Sequence, residues 1–170
     1  MKEIKADNYS IWIGENFLSK LDVSKYSKIG ILVDENTKEF CLPLLSEFKK
    51  SIIIEIKSGE ENKNIDSCNL IWEALCQNSF DRNSLLINLG GGVIGDVGGF
   101  CASTYKRGID FIQIPTSLLA MVDASVGGKL GVDFNGLKNQ VGLFSNPKSV
   151  IINPKFLETL AENELRSGFA

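Results

Sequence analysis

Apolar and polar positions along the chain follow two periods. Short, nearly continuous apolar runs stand at Ser10-Ile11-Trp12-Ile13, Lys28-Ile29-Gly30-Ile31-Leu32-Val33, Ser51-Ile52-Ile53-Ile54-Glu55-Ile56, Ser84-Leu85-Leu86-Ile87-Asn88-Leu89, Asp110-Phe111-Ile112-Gln113-Ile114-Pro115 and Lys148-Ser149-Val150-Ile151-Ile152-Asn153. Runs apolar on both sides of the pleat predict buried strands of a parallel sheet. Pro115 must close its strand, because proline cannot donate to a central ladder. Between the runs the spacing turns helical, with Phe40, Leu44, Leu45 and Phe48 in 37–50, and Ile65, Cys68, Asn69, Trp72 and Cys76 in 65–77. Residues 116–126 also read as a helix, and Pro154 opens another through Phe156, Leu157 and Leu160, since proline suits a first turn. The alternation predicts an α/β fold, a Rossmann-like, mostly parallel sheet flanked by helices, without internal repeats.

Composition narrows the chemistry. At 170 residues, 44% apolar and 23% charged, the chain is long enough to bury roughly 70% of its unfolded surface without disulfides or a structural metal. A formal charge of −3 is too balanced for a protein that grips nucleic acid by releasing counterions, so a basic site must be local. The absence of histidine removes the commonest general base and zinc ligand from anything this chain does alone. Cys41, Cys68, Cys76 and Cys101 form no C-x-x-C pair and read as reduced, mostly buried thiols. Alternating charge at the start and no apolar stretch of about 18 residues argue against a signal peptide or membrane span, and for the cytoplasm.

Twelve of the sixteen glycines fall between Gly90 and Gly142. Gly90, Gly92 and Gly95 fit G-x-G-x-x-G after a strand, the spacing that lets backbone N–H groups approach a pyrophosphate at a helix start. The same residues could instead form a turn with close helix packing at Gly95, Gly98 and Gly99. No acidic residue closes a strand about 20 positions later. Asp34, at the carboxyl end of the 28–33 run, is better placed for a ribose, or else caps the following helix.

Val126-Gly127-Gly128-Lys129-Leu130 suggests a phosphate loop, but Asp123 and Leu130 stand where a Walker motif needs glycine and Ser or Thr. Lys129, and Lys138 with Asn139, could still converge on an anion, or form solvated surface. Arg107 offers a planar fork for phosphate or carboxylate, or is an exposed turn cation. Asp123 follows apolar Leu118-Leu119-Ala120-Met121-Val122, and a buried, unpaired carboxylate there would be costly enough to mark a functional group.

Three blocks then carry a family resemblance: Gly90-Gly91-Gly92-Val93-Ile94-Gly95-Asp96-Val97-Gly98-Gly99-Phe100, Ala102-Ser103-Thr104-Tyr105-Lys106-Arg107-Gly108, and Ile114-Pro115-Thr116-Ser117-Leu118-Leu119-Ala120-Met121-Val122-Asp123-Ala124-Ser125-Val126-Gly127-Gly128-Lys129. In order and spacing they resemble the 3-dehydroquinate synthase family. Ser58-Gly59-Glu60 with Lys63, Leu137-Lys138-Asn139 and Phe156-Leu157-Glu158-Thr159-Leu160 extend the similarity. The resemblance implies conversion of 3-deoxy-D-arabino-heptulosonate 7-phosphate to 3-dehydroquinate and phosphate in the shikimate pathway, with NAD and a divalent metal, zinc or cobalt. The implied scheme is C5 oxidation by NAD, β-elimination of phosphate, hydride return, ring opening and aldol closure.

Carried over by position, the resemblance implies that Asp34 and Asn36 contact adenosine ribose, and that Ser58, Gly59, Glu60 and Lys63 form a second cofactor cluster. Gly91, Gly92, Val93, Ile94, Gly95 and Asp96 become the pyrophosphate loop. Thr116, Ser117, Leu119, Phe156, Thr159, Leu160 and Glu164 line the rest of the cofactor site, Ser117 standing for the family's more usual threonine. Asp123, Lys129, Lys138 and Asn139 reach toward nicotinamide and substrate, and Arg107 binds substrate across a homodimer interface. The expected organisation is an NAD-binding domain over 1–153 and the start of a helical carboxy-terminal domain over 154–170. The family's metal-binding glutamate would follow Ala170, with two histidines later, so the chain holds no metal ligands and reads as the amino-terminal half of a two-domain enzyme, inactive alone. The expected partner is a sugar acid phosphate, with neither nucleic acid nor membrane. Other readings are a related sugar phosphate cyclase and a stand-alone nucleotide-binding module.

Overall fold

The computed structural model describes residues 2–6, 8–15, 21–45, 48–160 and 162–168. Among the described residues nine strands are formed: β1 (Lys2–Lys5), β2 (Ser10–Ile13), β3 (Ile29–Val33), β4 (Ile52–Glu55), β5 (Leu85–Gly90), β6 (Asp110–Pro115), β7 (Lys129–Phe134), β8 (Leu137–Phe144) and β9 (Ser149–Ile152). The α-helices are α1 (Glu35–Phe40), α2 (Ile65–Gln77), α3 (Gly92–Thr104) and α4 (Glu162–Ser167). Seven strands make one sheet in the order β1-β2-β9-β6-β5-β3-β4, parallel except for β1 against β2. All six apolar runs become strands of this sheet, and Pro115 ends β6 opposite Gly90.

Three helical expectations change. Residues 37–50 do not form one helix: α1 stops at Phe40 and a 3-10 turn, Leu42–Leu44, follows, because Pro43 has no N–H to continue the ladder. Ser46 and Glu47 of that span lie outside the described residues. Residues 116–126 end in a π-helical turn, Ala120–Ala124, and Pro154 opens a 3-10 turn, Pro154–Thr159, rather than an α-helix. Strands β1, β7 and β8 were not anticipated.

Side chains alternate between the two faces of the sheet, as strand geometry requires. Ile31, Val33, Leu85, Ile87, Leu89, Ile112 and Ile114 face one core with Cys41, Phe48, Met121 and Phe156. Leu32, Leu86 and Phe111 face the other, with α2 and α3. Burying these runs on both faces provides the main driving force, about 25 cal/mol per Å² of apolar surface. As expected for reduced thiols, all four cysteines are free, and Cys41, Cys68 and Cys101 are buried while Cys76 is exposed.

Helix α3 lies between two β layers. On the sheet side a Cβ at Gly98 would stand 2.1 Å from Asn88 Oδ1, and on the other side a Cβ at Gly99 would stand 2.5 Å from Leu130 of β7. The β7–β8 hairpin is therefore an outer layer seated on α3. Among the described residues no helix is long and apolar enough to cross a membrane.

Candidate functional site

The chain passes from β3 outward to β4 and then returns to place β5 on the other side of β3. In open parallel sheets such a reversal splays the connections apart and leaves a crevice at the carboxyl ends of the strands. Asp34 follows β3, Ser58 to Lys63 follow β4, Gly91 to Asp96 follow β5, Thr116 to Leu119 follow β6, and Phe156 to Leu160 follow β9. Five carboxyl ends thus deliver the expected cofactor residues to one edge.

Asp34 does cap α1: its Oδ1 accepts the Thr37 N–H at 2.7 Å, and Thr37 Oγ1 accepts the Asp34 N–H at 3.0 Å. Beside it Asn36 is exposed. Glu35, which the sequence reading passed over, accepts both the Ser58 N–H at 2.9 Å and the Ser58 hydroxyl at 2.7 Å. The Ser58 hydroxyl holds the Glu35 carboxyl below its usual range. This ties the β3 and β4 loops together. Gly59 sits at φ +102°, where a side chain would be strained, and lets the chain turn into the Glu60–Asn62 3-10 turn. Glu60 pairs with Lys138 of β8 at 3.1 Å.

The glycines after β5 divide into two kinds. A Cβ at Gly90 would overlap Ile94, and Gly98 and Gly99 are equally confined, so the fold itself requires them. At Gly91 and Gly92 added Cβ atoms would meet only Ser117 Oγ at 3.4 Å and the Ala124 Cβ at 3.7 Å, and neither residue has positive φ. Packing does not explain why these two lack side chains. The close-packing reading of the glycine cluster therefore holds at Gly98 and Gly99. Gly91 is the N-cap of α3 and offers no side-chain cap, so the first amides of the helix carry the positive end of its dipole.

Asp96, one turn further on, is ion-paired with buried Lys63, and burial raises its carboxyl above the usual range despite that cation. It lines a cavity of about 550 Å³ together with Asp123, Ala124, Lys129, Asn139 and Phe144. Four of the expected residues, Asp96, Asp123, Lys129 and Asn139, are thus brought to one hollow. Asp123 is not buried as its neighbours suggested: the π-helical turn points Met121 inward and leaves Val122 and Asp123 exposed. Lys138 is exposed at the hairpin, and the Asn139 N–H donates to Asp133 Oδ1 at 2.7 Å. Gln140, Gly142 and Leu143 also line the cavity. They lie on β8, and the period-two pattern of Leu130 and Val132 was the signal for its partner strand β7.

Other expected residues are placed differently. Thr116 is buried and its N–H binds Gly90 O at 3.0 Å; Ser117 Oγ accepts the Ala120 N–H at 3.4 Å; Leu119 and Glu164 are exposed. Ile94 and Phe156 are buried in the core, so only their backbones are offered to the edge. Thr159 donates to Phe156 O at 2.7 Å, and Leu160 is half-buried. Arg107 is exposed at the far end of α3, about 20 Å from its start, so it does not meet the cavity of its own chain. Lys106 and Arg107 both have positive φ, 49° and 68°. Among the described residues, no group of three or more His, Cys, Asp or Glu side chains is arranged to hold a metal ion.

A family model described as 3-dehydroquinate synthase N-terminal matches residues 53–167. The chain is 51% identical over 159 residues to the 3-dehydroquinate synthase of Parabacteroides distasonis, covering 92% of this chain and 44% of that protein. It is 42% identical to the 3-dehydroquinate synthase of Ruminiclostridium cellulolyticum, covering 98% of this chain and 49% of the relative. The chain spans about half the length of the curated relatives it matches. A solved structure of 2-epi-5-epi-valiolone synthase from Streptomyces hygroscopicus subsp. jinggangensis 5008, with NAD+ and Zn2+ bound, is similar at 26% identity and a TM-score of 0.85, over 99% of this chain and 49% of that one.

Proposed function

As the chain belongs to the 3-dehydroquinate synthase family, we propose that it forms the NAD-binding half of an enzyme converting 3-deoxy-D-arabino-heptulosonate 7-phosphate to 3-dehydroquinate and phosphate. The observation that carries the reading is the pair Gly91 and Gly92, bare of side chains where the fold does not require it, at the dipole-positive start of α3. Backbone amides there suit a diphosphate, which a Cβ would hold away. The donor set fits NAD: Asp34, whose Oδ1 is engaged by Thr37, would offer Oδ2 to a ribose hydroxyl, and the 91–96 turn would take the pyrophosphate. Bound NAD would supply reversible oxidation of a substrate alcohol.

The chain's own residues gather and orient the substrate. Lys129 and Asn139 line one hollow and present an ammonium and an amide to an anionic sugar acid, while Lys138, next to Asn139 in β8, is paired with Glu60 and would have to leave it to reach the substrate. Positive charge held where phosphate departs favours elimination, because it is fixed before the charge develops. Asp123, exposed at the same hollow, would accept substrate hydroxyls. Arg107 would reach a second copy's hollow in a homodimer, since it cannot reach its own. Among the described residues no cluster fits a metal ion, so a metal would be held by residues outside them. Residues 154–170 would lead from the α/β domain into that part. A cytoplasmic location accords with this reading.

The test is phosphate release and product identification by NMR with the full-length protein, NAD and zinc or cobalt. Dehydroquinate from the heptulosonate phosphate supports the reading. Turnover of a different sugar phosphate instead assigns a related cyclase, a second reading favoured by the similarity to the valiolone synthase. No release from any sugar phosphate overturns both.

A further inference from the structure

The hairpin that carries Lys129 and Asn139 is pinned at its base by residues from the opposite end of the sequence. Tyr9, buried at the tip of the β1–β2 hairpin, accepts the Gly127 N–H on its hydroxyl at 3.3 Å. Its neighbour Asn8 accepts the Asn146 side-chain N–H on Oδ1 at 2.7 Å. Lys129 and Phe144 are the pair that opens the β7–β8 ladder, and Gly127 and Asn146 stand two residues outside it on either strand. One turn therefore holds both strands where they leave the layer.

Gly127 needs such a hold. Gly127 and Gly128 have φ of +91° and +65°, and nothing stands within 4 Å of the place where a Gly127 Cβ would lie. Packing fixes Gly128, whose carbonyl accepts the Ser145 N–H at 2.9 Å, while among the described residues Gly127 is held through its hydrogen bond to Tyr9. A second cavity of about 350 Å³, lined by Ala6, Tyr9, Gly127, Phe144, Ser145 and Asn146, adjoins the turn, so the segment has room to shift if that bond is lost. Adjacent glycines retain the most backbone freedom of any residues, and an unanchored pair would let the entry to β7 sample several paths.

We propose that the Asn8–Tyr9 turn is a positioning element that fixes Lys129 in the substrate hollow. The inference rests on the assignment of Lys129 to the substrate site. Tyr9→Phe keeps the ring and removes only the acceptor. In the full-length protein it is expected to lower kcat for phosphate release about tenfold, since small displacements of a positioning group are costly to rate, with NAD affinity and Tm nearly unchanged. In a Lys129→Ala background the same change should cost nothing further, because both act through one group. Amide hydrogen exchange should quicken at 127–129.

Unchanged kcat, an additive loss in the Lys129→Ala background, or kcat falling in step with Tm and NAD affinity would each overturn the proposal. If the unmutated protein releases no phosphate, the assignment of the reaction fails. Exchange then decides the anchor by itself: unaltered protection at 127–129 in Tyr9→Phe removes it.

Discussion

The Lys63 ammonium and the Asp96 carboxylate form an ion pair in which both side chains are largely withdrawn from water. Lys63 also accepts the Asp133 N–H on its carbonyl at 2.8 Å, so this residue joins the β4 loop, α3 and the outer hairpin. Replacing Lys63 by Met leaves the carboxylate buried without its cation, and breaking such a pair costs about 3–5 kcal/mol. Urea denaturation of Lys63→Met should show a loss of that order, and a loss under about 1 kcal/mol would mean that water already solvates Asp96.

The same pair sets a pH dependence. Burial is the larger influence on Asp96 and holds its carboxyl above the usual carboxylate range, with Lys63 opposing. Between the ordinary and the raised value the native state binds a proton that the unfolded state has released, so this group makes stability fall as pH rises through that window. Asp96→Asn should abolish that component of the slope. In Lys63→Met the Asp96 titration followed by NMR should move further upward, and a downward move would contradict the assignment.

Gly92 and Gly98 are six residues apart on one helix and should respond oppositely to alanine. At Gly92 the new methyl meets only the Ala124 Cβ at 3.7 Å, so stability should hold within about 0.5 kcal/mol while NAD affinity falls. At Gly98 it would lie 2.1 Å from Asn88 Oδ1, and overpacking of this kind costs about 1–3 kcal/mol. Thermal unfolding and calorimetric NAD titration of both variants separate the two effects.

Lys129 is exposed, and its loss removes charge from the hollow without disturbing the core. Lys129→Ala in the full-length protein should depress turnover by about 10²-fold, the scale of removing one preorganised electrostatic contact, with unfolding unchanged. A normal rate would take Lys129 out of the site.

Arg107 occupies left-handed backbone at φ 68°, next to Lys106 at 49°. Arg107→Gly should relieve strain and raise stability by about 1 kcal/mol, yet weaken substrate phosphate binding if a second copy receives the guanidinium. Steady-state KM and Tm, measured together, test whether the strained turn is kept for its side chain.

The sheet was legible because its six runs are apolar on both faces, a pattern that only burial on both sides satisfies. β1 escaped notice because Lys2–Lys5 is exposed throughout and carries no such pattern. β7 does carry an alternation, at Leu130 and Val132, but glycine and lysine on either side read more readily as a loop. At the site, Asp34 and the glycines could be placed from the strands they follow. The exposure of Asp123 could not, since it depends on a π-helical turn that shifts the helical phase by one residue. Nor could the distance of Arg107, which depends on α3 running the full depth of the sheet.

Helix α3 meets Asn88 below and Leu130 above through bare α-carbons, so nothing compressible separates the two β layers from it. A strut shimmed this tightly has no slack to absorb a push from either side. A change of volume at either Asn88 or Leu130 must therefore shift the helix whose first amides face the carboxyl edge of the sheet.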